Sequence, residues 1–344
     1  MRSIDRRTFN RTMIGAVVGL ALVAAGCGSD SDSSSDSLTT TGPSTDAPLT
    51  SEATGTSEAT GTSDAAVPTG PGSTPTGSGD ASEEGQQRIV SLSPTHTEML
   101  FAIGAGDQVV AVDDQSDYPA EALELPHDLS GFEPNVEAIA AYEPDLVVTG
   151  GDTTGLGDQL AGLGIESWDG PAATTLDDTY AQIEHLGEVT GHVTEAADLV
   201  MQMQTDIERI VAATPVPAVP LTLYHELDPA FFSADSTTFI GQLYGMLGLQ
   251  NIADQAEGNS GGYPQLNAEF IVSTNPDLIF LADTICCQQT LATVSARPGW
   301  DAITAVQNGN VFEMDDSLAS RWGPRVVDYL DDVSAAVRQA NVPS

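Results

Sequence analysis

Apolar residues fall along this chain in short runs of four or five, separated by stretches with helical spacing. The first run, Arg88-Ile89-Val90-Ser91-Leu92, predicts a buried strand. Ser93-Pro94-Thr95 follows as a turn and helix cap. Glu98, three residues after Thr95, completes a T-x-x-E capping box. Met99, Leu100 and Ile103 supply the apolar face of that helix, which ends at Gly104, and Val109 to Val112 is the next strand. Runs at Leu278 to Ala282 and Val311 to Met314 predict further strands. Short Val/Ile/Leu strands alternating with helices argue for parallel α/β layers.

One segment occurs twice. Asn135-Val136-Glu137-Ala138-Ile139 leads to Pro144-Asp145-Leu146-Val147, and Asn267-Ala268-Glu269-Phe270-Ile271 leads to Pro276-Asp277-Leu278-Ile279. Asn, Glu, Ile, Pro, Asp and Leu recur at one constant offset, so the same helix–turn–strand unit is built once in each half. Asn135 and Asn267 suit helix N-caps, and Glu137 and Glu269 fall in first turns, where the helix dipole favours negative charge. A looser echo pairs Leu100-Phe101 with Leu243-Tyr244. Between the halves, Val193 to Ala213 has no Pro or Gly and predicts one long helix, broken by Pro215, Pro217 and Pro220 before a strand at Leu221-Thr222-Leu223-Tyr224. The expectation is two Rossmann-like α/β lobes (88–192 and 215–344) joined by a stiff helix at 193–214. Ligand would lie between them at the carboxyl ends of the strands.

The first 87 residues read differently. Arg6-Arg7-Thr8-Phe9-Asn10-Arg11, an apolar run from Met13 to Ala25, and Ala24-Ala25-Gly26-Cys27 describe an export signal (1–27) of twin-arginine type. It ends in a lipobox whose Cys27 becomes lipidated, and the plainer alternative is ordinary cleavage near Ala25. Asn10 leaves the twin-arginine and general routes both open. Residues 28–87 are rich in Ser, Thr, Gly, Asp, Ala and Pro and predict a disordered tether with a reach of roughly 40–45 Å, open to O-glycosylation.

Charge narrows the partners. The chain of 344 residues carries 10 basic residues, all Arg, against 50 acidic ones, a net charge of -40. Nucleic acid and anionic lipid are excluded as partners by repulsion, and membrane contact would come only through the lipid anchor. No G-x-S-x-G, H-E-x-x-H or phosphate loop is present, which argues against an enzyme. His96 with Asp113 or Asp114 has no spacing to support a catalytic dyad.

Taken in order, Arg88-Ile89-Val90-Ser91-Leu92-Ser93-Pro94, Thr97-Glu98, Ser116-Asp117-Tyr118-Pro119, Asn135-Val136-Glu137 with Pro144-Asp145-Leu146-Val147, and Arg321 with Pro324-Arg325 resemble the ABC-importer binding proteins for cobalamin, ferric siderophores and haem. The cobalamin-binding members are closest in pattern, and the resemblance covers 88 to about 340. It implies a monomeric, extracytoplasmic carrier, without cofactor, that hands a metal chelate to a permease and its ATPase. Glu137 and Glu269 match the permease-docking glutamates. Tyr263 and Phe231 match aromatic pocket positions, Phe132 stands one place from a pocket Trp, and Gln115 replaces an aromatic, which questions cobalamin itself. Ser93, His96, Tyr118, Arg321 and Trp322 complete the expected ligand-binding set. Arg321 and Arg325 either grip a ligand carboxylate or pair internally with Asp315 or Asp316. Cys286-Cys287 can close a vicinal disulfide, ligate a metal or stay as thiols. His127, His185 and His192 read as surface residues, and Trp168 and Trp300 as core or pocket. The alternatives are a haem receptor of the same class, or a secreted metal-dependent enzyme using His96, His225, Cys286 and Cys287.

Overall fold

The computed structural model describes residues 86–152, 154–256 and 261–340. The export signal, Cys27 and nearly all of the tether lie outside the described residues. Each half folds around a four-stranded parallel sheet. The first has order β2-β1-β3-β4, from β1 (Ile89–Leu92), β2 (Val109–Val112), β3 (Leu146–Thr149) and β4 (Glu166–Asp169). The second has order β6-β5-β7-β8, from β5 (Thr222–Glu226), β6 (Gln250–Asn251), β7 (Leu278–Leu281) and β8 (Val311–Glu313). The two orders are the same topology, which makes the sequence repeat a structural repeat.

Eleven α-helices lie among the described residues: α1 (Pro94–Ala102), α2 (Val136–Ala140), α3 (Leu156–Gly162) and α4 (Leu176–Thr190); α5 (Val193–Ala213); and α6 (Phe239–Met246), α7 (Ala268–Thr274), α8 (Leu291–Ser295), α9 (Thr304–Asn308), α10 (Asp316–Ser320) and α11 (Val326–Gln339). No described helix is long and apolar enough to cross a membrane.

The repeated motif has a local cause. Asn135 Oδ1 accepts from the Glu137 and Ala138 N–H groups, and Asn267 Oδ1 accepts from the Phe270 N–H, so each caps its helix. After the helix, the Asp of Pro-Asp-Leu reaches back to the first strand of its own sheet. Asp145 accepts from the Arg88 N–H at 2.9 Å, and Asp277 accepts from the Thr222 N–H and hydroxyl, both at 2.9 Å. In both halves the motif therefore clamps the third strand to the first in register.

α5 carries a buried stripe of Ala196, Val200, Met203, Ile207 and Ile210. This stripe belongs to one apolar cluster that also holds Ile89 and Leu100 from the first lobe and Leu223, Tyr244 and Tyr329 from the second. The lobes thus share a core along α5, while two smaller clusters fill the outer face of each sheet.

The start of α1 corrects the capping-box reading. Ser93 is the N-cap and Pro94 occupies the first turn, where its missing N–H is harmless. Glu98 then falls too deep in the helix to cap it. Its side chain is buried between two arginines of the second lobe instead.

Candidate functional site

The loops that leave the carboxyl ends of β1, β2 and β3 meet α10 and the turn after it across a cleft of about 570 Å³. From the first lobe it is lined by Ser93 after β1, Asp113 and Gln115 after β2, Gly131 and Phe132 on the following segment, and Gly150 to Asp152 after β3. The second lobe contributes Asp316, Ser317, Ser320, Arg321 and Trp322. Phe132 is 80% exposed, a flat apolar face at the rim.

Five of the sequence-predicted ligand residues meet here: Ser93, Gln115, Phe132, Arg321 and Trp322. The other four stand elsewhere. His96 is fully buried, with Nδ1 2.7 Å from Ser93 Oγ and Nε2 2.9 Å from Gln182 Oε1. Burial pulls its pKa down to about 4, so the ring is a neutral packing and hydrogen-bonding group behind the cleft, not a contact at its mouth. Tyr118 lies under the Arg325 guanidinium, 4.0 Å from ring centroid to Cζ, in a neighbouring hollow. Phe231 stacks on Trp300 at 5.9 Å with Arg297 over its ring, which makes it part of the second lobe's core. Tyr263 is exposed and not among the residues lining the cleft.

The remaining candidates are also placed. His225 is buried, with Nδ1 2.8 Å from the Tyr244 hydroxyl and a pKa lowered to about 4 by burial. His96 and His225 belong to separate lobes and neither is exposed, and no cluster of three metal-ligating side chains occurs among the described residues. Cys286 and Cys287 are free thiols, correcting the disulfide expectation. Their loop is held by another device: Asp316 accepts the backbone N–H groups of Thr284, Ile285 and Cys286. Partial desolvation of the exposed Cys286 thiol, with Cys287 and Asp316 beside it, pushes its pKa up to about 12. Trp300 is core, and Trp168 packs between His96 and His185.

Arg321 lines the cleft with its guanidinium already engaged within the protein. Its guanidinium reaches Glu98 at 2.8 Å, Asp117 at 2.7 Å and the Gln115 carbonyl at 3.0 Å. Arg325 forks onto Glu98 at 2.9 and 2.5 Å. The internal pairing is therefore with Glu98 and Asp117 of the first lobe, not with Asp315 or Asp316, and it fastens the two lobes beside the cleft. The same economy holds throughout. Arg88 donates to the Tyr142 and Glu143 carbonyls, Arg209 pairs with Asp206, Arg297 with Glu226, and Arg338 with Asp331. All six arginines among the described residues have an internal acceptor.

Sequence reasoning missed Asp113, Gly131, Asp152 and Asp316 as cleft residues. A signal was available: Asp113 directly follows β2, and Gly150-Gly151-Asp152 directly follows β3, the strand ends where ligands bind in this architecture. Asp169 at the end of β4 accepts the Gly151 and Asp152 N–H groups and the Thr149 hydroxyl, as Asp316 does for the matching loop of the second lobe.

Glu137 and Glu269 are both exposed, each in the first turn of its repeat helix, and neither enters an ion pair among the described residues. No shared surface need be invoked for their equivalence, since the repeat itself supplies it.

The periplasmic binding protein family matches residues 89–318. A cobalamin-binding protein of Halobacterium salinarum is 30% identical over 268 residues, covering 74% of this chain and 70% of the relative. An uncharacterized ABC transporter substrate-binding lipoprotein of Bacillus subtilis, YvrC, is 29% identical over 259 residues, covering 73% and 80%. Among solved structures, the periplasmic vitamin B12 binding protein BtuF of Vibrio cholerae superposes with a TM-score of 0.60 at 27% identity, covering 74% and 97%. The heme-binding protein RhuT from Roseiflexus sp. RS-1 gives 0.67 at 22% identity, covering 74% and 99%, a likeness of fold.

Proposed function

Because this chain belongs to the periplasmic binding protein family, whose members among its relatives are binding proteins and not enzymes, we propose that it captures a corrinoid of the cobalamin type for an ABC importer. The observation that carries the choice of cargo is the fate of the cations. Every described arginine is held internally, and the cleft presents the carboxyl groups of Asp113, Asp152 and Asp316. Chelates that wear carboxylates, such as haem with its propionates, meet the carboxylates of Asp152 and Asp316 there, and the guanidinium in the lining, that of Arg321, is already shared among Glu98, Asp117 and the Gln115 carbonyl. A corrinoid presents neutral carboxamides instead, which donate N–H groups to carboxyl, hydroxyl and carbonyl oxygens.

Iron ligation points the same way. Haem bound by a protein takes an axial His, Tyr, Met or Cys, and no such side chain lines the cleft among the described residues. Corrinoid cobalt brings its own lower ligand and asks only for shape, hydrogen bonds and an apolar face, such as that of Phe132.

Delivery follows from the repeat. Glu137 and Glu269 are proposed to dock on basic residues of the permease, one from each lobe, with the partner ATPase supplying the energy. The chain is proposed to act as a monomer, outside the cytoplasm, held to the membrane by lipid on Cys27; the lipoprotein relative in Bacillus subtilis supports the anchor. The test is titration calorimetry of the purified protein with cyanocobalamin, haemin and a catecholate ferric siderophore. Submicromolar binding of cyanocobalamin with haemin weaker by tenfold or more is expected. Tight haemin binding with no response to cyanocobalamin would overturn the assignment.

A further inference from the structure

We propose that Asp113 serves the cleft as a neutral carboxylic acid, its Oδ1–H closing a chain of buried hydroxyls and its Oδ2 accepting an N–H from the amide rim of the cargo. The cargo half of this statement rests on the corrinoid reading above; the protonation half does not.

The argument is a count of protons. Ser91 Oγ donates to the Ser93 carbonyl at 3.4 Å, and the Thr97 hydroxyl donates to Ser91 Oγ at 2.8 Å. Thr97 Oγ1 also lies 2.9 Å from Ser116 Oγ, and Ser116 Oγ lies 2.5 Å from Asp113 Oδ1. A hydroxyl has one proton to give. Thr97 spends its proton on Ser91, so the link to Ser116 must use the Ser116 proton. The link from Ser116 to Asp113 then has no hydroxyl proton left. With Asp113 ionised, three protons serve four links and one pair of oxygens faces each other unbonded. With Asp113 protonated, every link is filled and the chain runs one way, Asp113 to Ser116 to Thr97 to Ser91 to Ser93.

The surroundings favour the neutral form. Asp113 is 2% exposed, and burial pushes its pKa up to about 6. The Ser116 hydrogen bond opposes this rise, Asp114 on its own loop adds to it, and Arg321 of the second lobe opposes it, though that guanidinium is already shared among Glu98, Asp117 and the Gln115 carbonyl. The packed elements β1 and α1 present Ser91 and Thr97. The 129–131 segment presents Gly131, where a Cβ would come within 2.9 Å of Asp113 Oδ2 and 2.6 Å of the Leu92 carbonyl. Glycine is needed there because the segment lies directly against the acid. Oδ2 takes no hydrogen bond from another described residue and sits where both Asp113 and Gly131 line the cleft.

Cargo covering the cleft removes the remaining water from Asp113, which costs a carboxylate more than a neutral acid. Binding therefore takes up a proton where the free site has lost one, and affinity falls as pH rises through the titration of Asp113. Asp113→Asn keeps the shape, with an amide N–H in place of the O–H and a carbonyl oxygen toward the cleft. The test uses the purified full chain. Cyanocobalamin affinity of the native protein should fall by about tenfold or more between pH 5 and pH 8, while the Asp113→Asn protein, whatever its absolute affinity, loses that pH dependence. Carboxyl ¹³C titration, assigned by difference against Asp113→Asn, should place the midpoint near 6 without any cargo. A flat native pH profile, a pH dependence that persists in Asp113→Asn, or a midpoint in the ordinary carboxylate range would each overturn the proposal. Failure to bind cyanocobalamin at every pH with the raised midpoint intact would sink the cargo assignment and leave the neutral acid standing.

Discussion

Glu226 and Asp283 show what a chain so rich in acid does with a carboxyl pair it buries. Both are fully buried, and one guanidinium, Arg297, serves them, forking onto Glu226 with two contacts of 2.6 Å. Neither oxygen of Asp283 has a hydrogen-bond partner among the described residues. Burial, with Glu226 beside it, pushes Asp283 up to about 7. Since the folded-state value lies above the unfolded one, the folded state holds the proton more tightly. The stability this contributes is complete below pH 4 and is lost as pH rises through 7. Asp283→Asn removes the titration, so its melting temperature should match the native protein near pH 5 and exceed it by several degrees at pH 8. An unchanged gap between the two proteins across that range would show that Asp283 stays ionised in the fold. The two buried histidines work in the opposite sense: burial lowers both, so folding favours their neutral forms, and acidification from 6.5 toward 4 weakens the fold through them.

At the scale of elements, the repeated Pro-Asp-Leu motif performs one task with unequal force. Asp277 receives two donors from Thr222 at a part-buried site, and Asp145 receives one exposed N–H from Arg88. Asp277→Ala should cost about 1–3 kcal/mol and Asp145→Ala about 0.5–1.5 kcal/mol in urea unfolding. Equal costs would mean the clamp matters only through its backbone link. These elements were legible in the sequence because their causes are local: an Asn cap, a Pro-Asp turn, a run of Val and Leu, and a Pro-free, Gly-free stretch for α5. Failures came where a residue's partner lies far along the chain. His96 looks like a turn histidine until Gln182, 86 positions away, claims it. Glu98 reads as a cap until Arg321 and Arg325, 223 and 227 positions away, enclose it. Phe231 fits a pocket aromatic, but only the fold reveals Trp300 beneath it. The cleft's general position could be read from strand ends, whereas its actual lining depended on contacts between halves that no local pattern encodes.

At the scale of the whole molecule, two features limit how far the lobes can part. α5 carries a core common to both, and Glu98 of α1 is gripped by Arg321 and Arg325 beside the cleft. The glutamate side chain is 1% exposed and the arginines 10% and 17%, so this is a buried charge cluster held by geometry, not a surface pair. Such a cluster is expensive to break from one side, since the remaining charges lose their counterion without regaining water. Glu98→Gln leaves two guanidinium groups facing an amide and should lower stability by about 3–5 kcal/mol. The consequence for motion is separate and can be read by small-angle scattering. A clamp braced in this way should give nearly the same radius of gyration with and without cargo, keeping Glu137 and Glu269 at one spacing. Glu98→Gln should widen the ligand-free distribution while leaving the loaded one close to native, because cargo spans the same gap. If the native protein compacts strongly on loading, the brace does not set the hinge, and the spacing of the two glutamates must itself report the loaded state.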